Sequence, residues 1–287
     1  MKNIRKFAFL AVVGLAFALN LTTAQAATAK RAITKIAGDL YRFQNNFHFS
    51  VFLVTPDGVI ATDPINADAA NWLKAEIKKR FDKEIRYLIL SHDHSDHSSG
   101  GEVFKDTATV IAHKNAKATI IGEKRPTAVP DITFSKRMTV ELGGKQVELI
   151  YVGPSHSDNM IVMRFPDERA LYAVDFVSVK RLPYKNLSDA YLPGLLKALS
   201  RVERMDFDIL APGHGAMGTK ADVTDHKAYV SDLYNGVLDG LREGKSLDQI
   251  KFSLTLEKYK DWGQYGAWRA LNIDGVYERI NLHRRGK

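Results

Sequence analysis

Cysteine is absent from the 287 residues, so disulfides are excluded and stability in an oxidising compartment must come from the packed core alone. The same absence closes the lipoprotein route, which acylates a cysteine. A long hydrophobic run is missing too. The apolar stretch at residues 7–19 holds 13 residues, short of the roughly 20 that span a bilayer. Proline is sparse at 9 and gathers into no linker or low-complexity tract, so one domain is the economical reading. Nor does one sign of charge dominate: 41 Lys and Arg stand against 33 acids, for a formal net charge of +8. That mixed balance gives little footing to a nucleic-acid partner and is equally compatible with a basic surface facing anionic envelope components.

What is present begins at the N-terminus. Lys2, Arg5 and Lys6 precede the apolar stretch, and Ala24-Gln25-Ala26 follows it as a small-x-small site, the layout of a secretory signal. The expectation is cleavage after Ala26, a periplasmic or secreted protein with no stable membrane anchor, and a mature domain over residues 27–287. Removal of residues 1–26 takes Lys2, Arg5 and Lys6 with it and lowers the net charge to +5. The hydrophobic fraction of 45% is ample for a globular core.

The densest chemistry lies at His92-Asp93-His94-Ser95-Asp96-His97. Three imidazoles and a carboxylate form a cluster of borderline ligands that suit zinc or iron. An apolar strand-like run, residues 85–90, precedes it, and Ser98-Ser99-Gly100-Gly101 breaks the chain after it, which places the cluster on a loop at a strand end. Three more candidates repeat the arrangement: His156 after residues 147–152, Asp175 after residues 171–174, and His214 after residues 208–211. Of the other histidines, His226 and His283 fall in polar helical stretches and read as solvated. His113 reads as a packing residue, and His48 as a strand residue with a substrate-facing alternative.

With these blocks the chain resembles the metallo-β-lactamase-fold hydrolase superfamily, whose pattern is His-x-His-x-Asp-His followed by separate His, Asp and His ligands. The resemblance runs from about residue 40 to beyond His214, and continues toward related exported members at Gly244-Lys245-Ser246-Leu247-Asp248 and Asn272-Ile273. It implies that His92, His94 and His156 hold one zinc, that Asp96, His97 and His214 hold a second, and that Asp175 bridges them. A hydroxide between the ions would attack, with Asp96 orienting it and passing a proton to the leaving group. Asp63 matches a recurrent acidic position that orients a ligand, although a turn or capping aspartate reads equally well there. Asn159 is a candidate oxyanion or carboxylate contact, and Lys180, Arg181 and Tyr184 lie where relatives place substrate contacts.

Periodicity agrees with that fold. Strand signals at residues 40–43, 51–55, 59–62, 109–112, 138–142, 146–152, 160–165 and 170–174 alternate with helical patterns at 68–81, 192–205, 222–241 and 268–283, and a short helix is expected around Glu102. The order fits an α/β protein of four layers, an αββα sandwich.

The reading is an exported zinc-dependent hydrolase with two zinc ions per chain, cleaving an ester, lactone, thioester or amide bond of a small-molecule substrate. β-Lactam hydrolysis is one alternative, favoured by the lactamase-like segment at residues 153–159 and opposed by Asp175, since lactamases commonly carry Cys or Ser there. A mononuclear iron persulfide dioxygenase is another, with iron on His92, His94, His156 and Asp175. Oligomeric state is left open.

Overall fold

The computed structural model describes residues 29–282; the expected export segment and His283 lie outside them. In the first half, β1 (Arg31–Ala37), β2 (Leu40–Asn45), β3 (His48–Thr55) and β4 (Gly58–Thr62) lead into α1 (Ala67–Phe81) and β5 (Ile85–Ile89). Then come the short α2 (Ser95–Ser98), a 3-10 turn at Gly101–Phe104, β6 (Thr109–His113), α3 (Lys114–Gly122) and β7 (Ile132–Phe134). The second half runs β8 (Arg137–Leu142), β9 (Lys145–Tyr151), β10 (Ile161–Phe165), β11 (Ala170–Tyr172), α4 (Leu192–Glu203), β12 (Ile209–Ala211) and β13 (Gly218–Thr219). It closes with α5 (Lys220–Arg242), α6 (Leu247–Ser253), a 3-10 turn at Glu257–Tyr259 and α7 (Tyr265–Leu282).

Each half contributes one sheet. The first has seven strands in order β1 to β7, and the second has six in order β13-β12-β11-β10-β9-β8. β1 to β4 pair antiparallel, whereas β4, β5, β6 and β7 run parallel. β11 and β12 also run parallel. Parallel neighbours end on the same edge of a sheet, so the loops after β4, β5, β11 and β12 emerge together there.

The period-2 alternation of the strands decides what each face buries. Phe52, Val59, Ala61 and Leu88 point outward onto Ala69, Leu73 and Ile77 of α1 and Ala116 and Ile120 of α3. Their neighbours Val51, Leu53, Ile60 and Ile89 point inward and meet Val147, Leu149, Met163 and Tyr172 of the second sheet. On its far face the second sheet is covered by α4 and α5 through Leu195, Leu199, Val202, Val230 and Leu233. The result is the αββα sandwich expected. At about 1.5–3 kcal/mol per fully buried large aliphatic or aromatic side chain, this double-sided burial supplies what disulfides would in a smaller chain. No helix among the described residues is long and apolar enough to cross a membrane.

Candidate metal centre

Seven side chains from both halves converge at the shared strand edge. His92 and His94 lie just beyond β5, and Asp96 and His97 belong to α2. His156 follows β9, Asp175 follows β11, and His214 follows β12. They form two groups that share one carboxylate: His92, His94, His156 and Asp175, and Asp96, His97, Asp175 and His214.

The donor atoms face one another at short range. In the first group His156 Nε2 lies 2.9 Å from His94 Nδ1 and 3.4 Å from Asp175 Oδ2, and His92 Nε2 lies 3.6 Å from the same oxygen. In the second, Asp175 Oδ1 lies 3.1 Å from His97 Nε2 and 3.2 Å from His214 Nε2, and those two nitrogens are 3.1 Å apart. Asp96 Oδ2 stands 3.7 Å from both. A zinc ion with ligands at about 2.0–2.1 Å in tetrahedral geometry separates neighbouring donors by about 3.3–3.4 Å. The observed separations bracket that edge length. In addition, His92 Nε2 and Asp175 Oδ1 are buried without a hydrogen-bond partner, a costly state that a cation would relieve. The residues present therefore fit a metal centre, with Asp175 common to both groups.

Two of the rings are held from behind by a hydrogen-bonding contact, which fixes the nitrogen each offers, and a third faces a carboxylate. Ser91 Oγ lies 2.9 Å from His92 Nδ1, and His214 Nδ1 lies 3.0 Å from the carbonyl of Phe47. His97 Nδ1 faces Asp63 Oδ2 at 3.8 Å. Asp63 is itself fully buried, accepts the Ser91 N–H at 2.8 Å, and receives the Tyr172 hydroxyl at 2.9 Å. Strain marks this segment: Asp63 and Ile65 have φ of +26° and +71°, and the Ile65 N–H donates to the carbonyl of His97. A β-branched residue at positive φ is costly, and here the contact with α2 holds it.

The hairpin of β2 and β3 reaches across to the second half. The Phe49 N–H donates to the carbonyl of Gly213, and Arg42 Nη2 donates to the carbonyls of Pro212 and Gly215. Gly213 has no room for a side chain, since a Cβ would sit 2.8 Å from His97 Cε1 and 2.5 Å from Val174 Cγ1.

Burial and neighbouring charge set the proton occupancy. Burial drives His92 well below the ordinary histidine range. Burial opposes charge on His97 and His214 as well, but the carboxylates around them win, and His214 is pushed up to about 10. Burial likewise disfavours charge on Asp175 and Asp96. The surrounding imidazoles outweigh it: His97, His156 and His214 hold Asp175, and His214 and His48 hold Asp96, below the usual carboxylate range. Protons on His97 and His214 compete with a metal ion for the same lone pairs, so metal uptake would release them.

Several expectations change in the structure. Asn159 does not face the cavity: it is buried, its Oδ1 accepts the Asp93 N–H at 3.0 Å, and its Nδ2 donates to Asp93 Oδ1 at 2.7 Å. It clamps the two ligand loops together. Lys180 also turns away, paired with Asp225 and lying 5.5 Å over the ring of Trp262. Arg181 and Tyr184 do border the cavity, both against Trp268. His48 opens β3, and its Nε2 lies 3.4 Å from Asp96 Oδ2. His226 is not solvated; it is 2% exposed on the inner face of α5. His113 sits in neither group and stacks on Tyr151 at 4.1 Å.

Sequence reading missed Asp93, whose position between two ligands was the available signal. It also missed the Tyr172 hydroxyl, which strand periodicity does not reveal. The cavity over the two groups measures about 680 Å³, within the range of small-molecule sites. A larger open groove of about 1150 Å³, lined by His113, Lys136, Arg137 and Arg204, contains neither group.

Comparison with known proteins agrees with this arrangement. Residues 45–214 match the model of the metallo-beta-lactamase superfamily. The chain is 30% identical over 198 residues to the 2,4-dinitroanisole O-demethylase subunit alpha of Nocardioides sp. (strain JS1661), across 67% of this chain and 60% of that one. It is 28% identical over 170 residues to the metallo-beta-lactamase type 2 of Elizabethkingia meningoseptica, across 55% and 68%. Among solved structures, the metallo-beta-lactamase from Pontibacter korlensis superposes with a TM-score of 0.64 at 21% identity, covering 70% of this chain and 99% of that one. A metallo-beta-lactamase from Hirschia baltica gives 0.61 at 20% identity, covering 70% and 97%.

Proposed function

The chain belongs to the metallo-beta-lactamase superfamily, and from that premise we propose that it is an exported dizinc hydrolase that cleaves an ester, lactone or thioester. The observation that carries the reading is the sharing of Asp175 between two complete ligand groups. A single-metal oxygenase needs only the first; here Asp96, His97 and His214 complete a second.

His92, His94 and His156 would hold one ion, Asp96, His97 and His214 the other, and Asp175 both. Bound there, two zinc ions supply Lewis acidity that acidifies water and polarises a carbonyl. The chain's own residues then set orientation and proton traffic. Asp96 is the carboxylate at the cavity mouth, with its side chain 47% exposed, and as a ligand to a metal ion it would be ionised. In that state it accepts a hydrogen bond from the attacking water, orients it, and carries a proton toward the leaving group. His48, 3.4 Å away, positions the Asp96 carboxylate. The apolar wall of Phe47, Val177, Leu187 and Trp268 receives the substrate body and excludes water.

Two features favour oxygen or sulfur leaving groups over a lactam nitrogen. Shared between both groups, Asp175 would lend negative charge to a metal on the second and make it a poorer partner for an anionic nitrogen. The relative from Nocardioides acts, by its name, at a bond to oxygen. Export rests on the signal-type segment at residues 1–26 and is checked by N-terminal sequencing of the natively produced protein. The central test is metal analysis of protein purified without added metal, then a matched screen of chromogenic esters, lactones, thioesters and lactams. Two zinc equivalents with esters, lactones or thioesters ahead in kcat/KM are expected. One iron equivalent, or a carbapenem turned over faster than every ester, lactone and thioester, would overturn the reading.

A further inference from the structure

The loop between β11 and α4 contributes Pro183, Tyr184, Leu187 and Ala190 to the wall of the cavity over the metal centre. It holds no helix and no strand of its own. Its backbone is also strained: Lys180, Lys185 and Leu187 have φ of +46°, +44° and +50°, the left-handed region that residues with a side chain hold only where the surrounding structure compels it. Within residues 183–190 the backbone closes two turns, from the Leu187 N–H to the carbonyl of Tyr184 and from the Ala190 N–H to that of Leu187. Turns of that kind do not hold three left-handed residues, so the shape is imposed from outside the loop.

The element that imposes it is α7. Trp268, Asn272, Gly275 and Arg279 follow one another at spacings of four, three and four, so they share one face of that helix. Each meets the loop. Trp268 packs edge-on against Tyr184, with ring centroids 5.2 Å apart. Asn272, which has no exposed surface, donates from Nδ2 to the carbonyl of Pro183 at 3.0 Å and to that of Lys185. Gly275 leaves room for the backbone oxygen of Asn186, which would lie 1.7 Å from a Cβ. Arg279 donates from Nε to the carbonyl of Leu187 at 2.9 Å and from Nη2 to that of Ser188. The helix is itself anchored: Ile273 and Val276 are fully buried in the core, and Asn272 Oδ1 accepts the Tyr229 hydroxyl of α5 at 2.6 Å. α7 lies beyond the segment that matches the family model, which ends at residue 214.

We propose that α7 is a positioning element of the substrate cavity: through Asn272 and Arg279 it fixes residues 183–190 in this strained shape and so sets the room offered to the apolar body of the substrate. The proposal rests on the hydrolase reading for what the cavity receives, and on the shared helix face for what holds its wall. The carbonyls of Pro183, Lys185, Leu187 and Ser188 are drawn toward α7, while Tyr184 and Leu187 still border the cavity. Without those donors the left-handed residues relax to extended or helical backbone, and Leu187 leaves the wall with them. The hydrogen bonds of Asn272 and Arg279 reach none of the seven residues of the metal centre. The substrate class that follows has an extended apolar acyl part, in which each methylene buried against the wall contributes up to about fourfold in kcat/KM.

The zinc-loaded full chain is assayed with 4-nitrophenyl acetate and 4-nitrophenyl hexanoate, which differ only in the length of the acyl chain. A preference of about 20-fold or more in kcat/KM for the hexanoate is expected. Arg279→Met keeps the stem of the side chain and removes its donors; it should raise KM for the hexanoate about fivefold or more, while kcat for the acetate stays within about twofold. Arg279→Lys, which restores one donor, should recover part of the loss. Arg269→Met is the control on the same helix: that guanidinium donates to the carbonyls of Lys251 and Leu254, in and beside α6, and its removal should leave the ratio of the two esters as it was. Hydrogen exchange reads the hold without turnover: the amides of Leu187 and Ala190 should exchange about 10-fold or more faster in Arg279→Met, with that of Leu88 in β5 unchanged. Unchanged exchange at Leu187 and Ala190 overturns the hold. Faster exchange with an unaltered ester ratio, a ratio near one in the unmodified protein, or a loss that Arg269→Met reproduces overturns the positioning role. If neither ester is turned over, the hydrolase reading fails together with the substrate role built on it, and exchange alone judges the hold of α7 on the loop.

Discussion

Tyr172→Phe isolates the part of the centre that lies behind its ligands. The tyrosine is 1% exposed, and its hydroxyl lies 2.9 Å from both Asp63 Oδ2 and the carbonyl of Phe49. Phenylalanine keeps the ring and its packing and removes only that oxygen. Asp63 then retains the Ser91 N–H on Oδ1, while Oδ2 keeps only His97 Nδ1 at 3.8 Å. A buried hydrogen bond to a charged group contributes about 1.5–3 kcal/mol, and stranding its acceptor costs about as much as the bond contributes, so a loss of about 2–3 kcal/mol is expected. Because Asp63 orients His97, zinc affinity at the second group should also fall by about 10- to 100-fold. Urea unfolding at neutral pH with free zinc held fixed gives the first quantity, since metal bound to the native state would otherwise enter the midpoint. The slope should not change, because no apolar surface is lost. Competition against a chromogenic chelator gives the second. A stability loss below about 0.5 kcal/mol together with unaltered zinc affinity would refute the orienting role of Asp63.

Asp96→Asn should lower kcat by about 100-fold or more with at least one zinc retained, because a positioned proton carrier commonly contributes that much; near-normal turnover at full metal occupancy would show that another group handles the proton. His226 should make the fold acid-sensitive over a defined window. Unfolded, the imidazole takes its proton near 6.5, whereas folded it does so only near 4, so stability is complete above that window, is lost as pH falls through it, and levels off below. The interval corresponds to about 3 kcal/mol at most, and His226→Gln should remove it; a stability difference between the two proteins that stays constant from pH 7 to pH 4 would contradict this. Gly275→Ala should destabilise by about 3 kcal/mol or prevent folding, since its Cβ would fall 1.7 Å from the backbone oxygen of Asn186. Soluble protein of unchanged Tm would show that α7 can shift.

What the sequence discloses depends on how far a residue's chemistry is tied to its place in the chain. The seven residues that the structure brings together were legible because each is a distinctive donor close to the end of an apolar run, and parallel pairing brings such ends together. The main strands followed from alternation. β1 did not, because as an edge strand it is only half-buried and Lys35 breaks its pattern; α3 and α6 are short and bury two residues and one. Orientation was the harder quantity. Asn159 and Lys180 have the residue types of substrate contacts, but which way a side chain turns is settled by partners distant in sequence, Asp93 and Asp225. His226 was misread for a different reason: its polar neighbours suggested solvent, although Val223, Tyr229, Val230 and Leu233 share its helical face at spacings of three, four and seven, and that periodicity was the available signal.

The reach of the β2–β3 hairpin over the last ligand loop has a temporal side. Arg42 Nη2 meets the carbonyl of Gly215 across 173 positions of chain. At a synthesis rate of roughly 5–20 residues per second, the hairpin spends on the order of 10–35 s outside the ribosome before its partner exists. Throughout that interval Phe49 and Arg42 have exposed hydrogen-bonding groups, and the second group lacks His214 until the interval is almost over. A nascent chain in that condition can hold a metal ion at that group only loosely. The second group is thus completed only when β12 and the loop after it have been made and docked beside the first sheet.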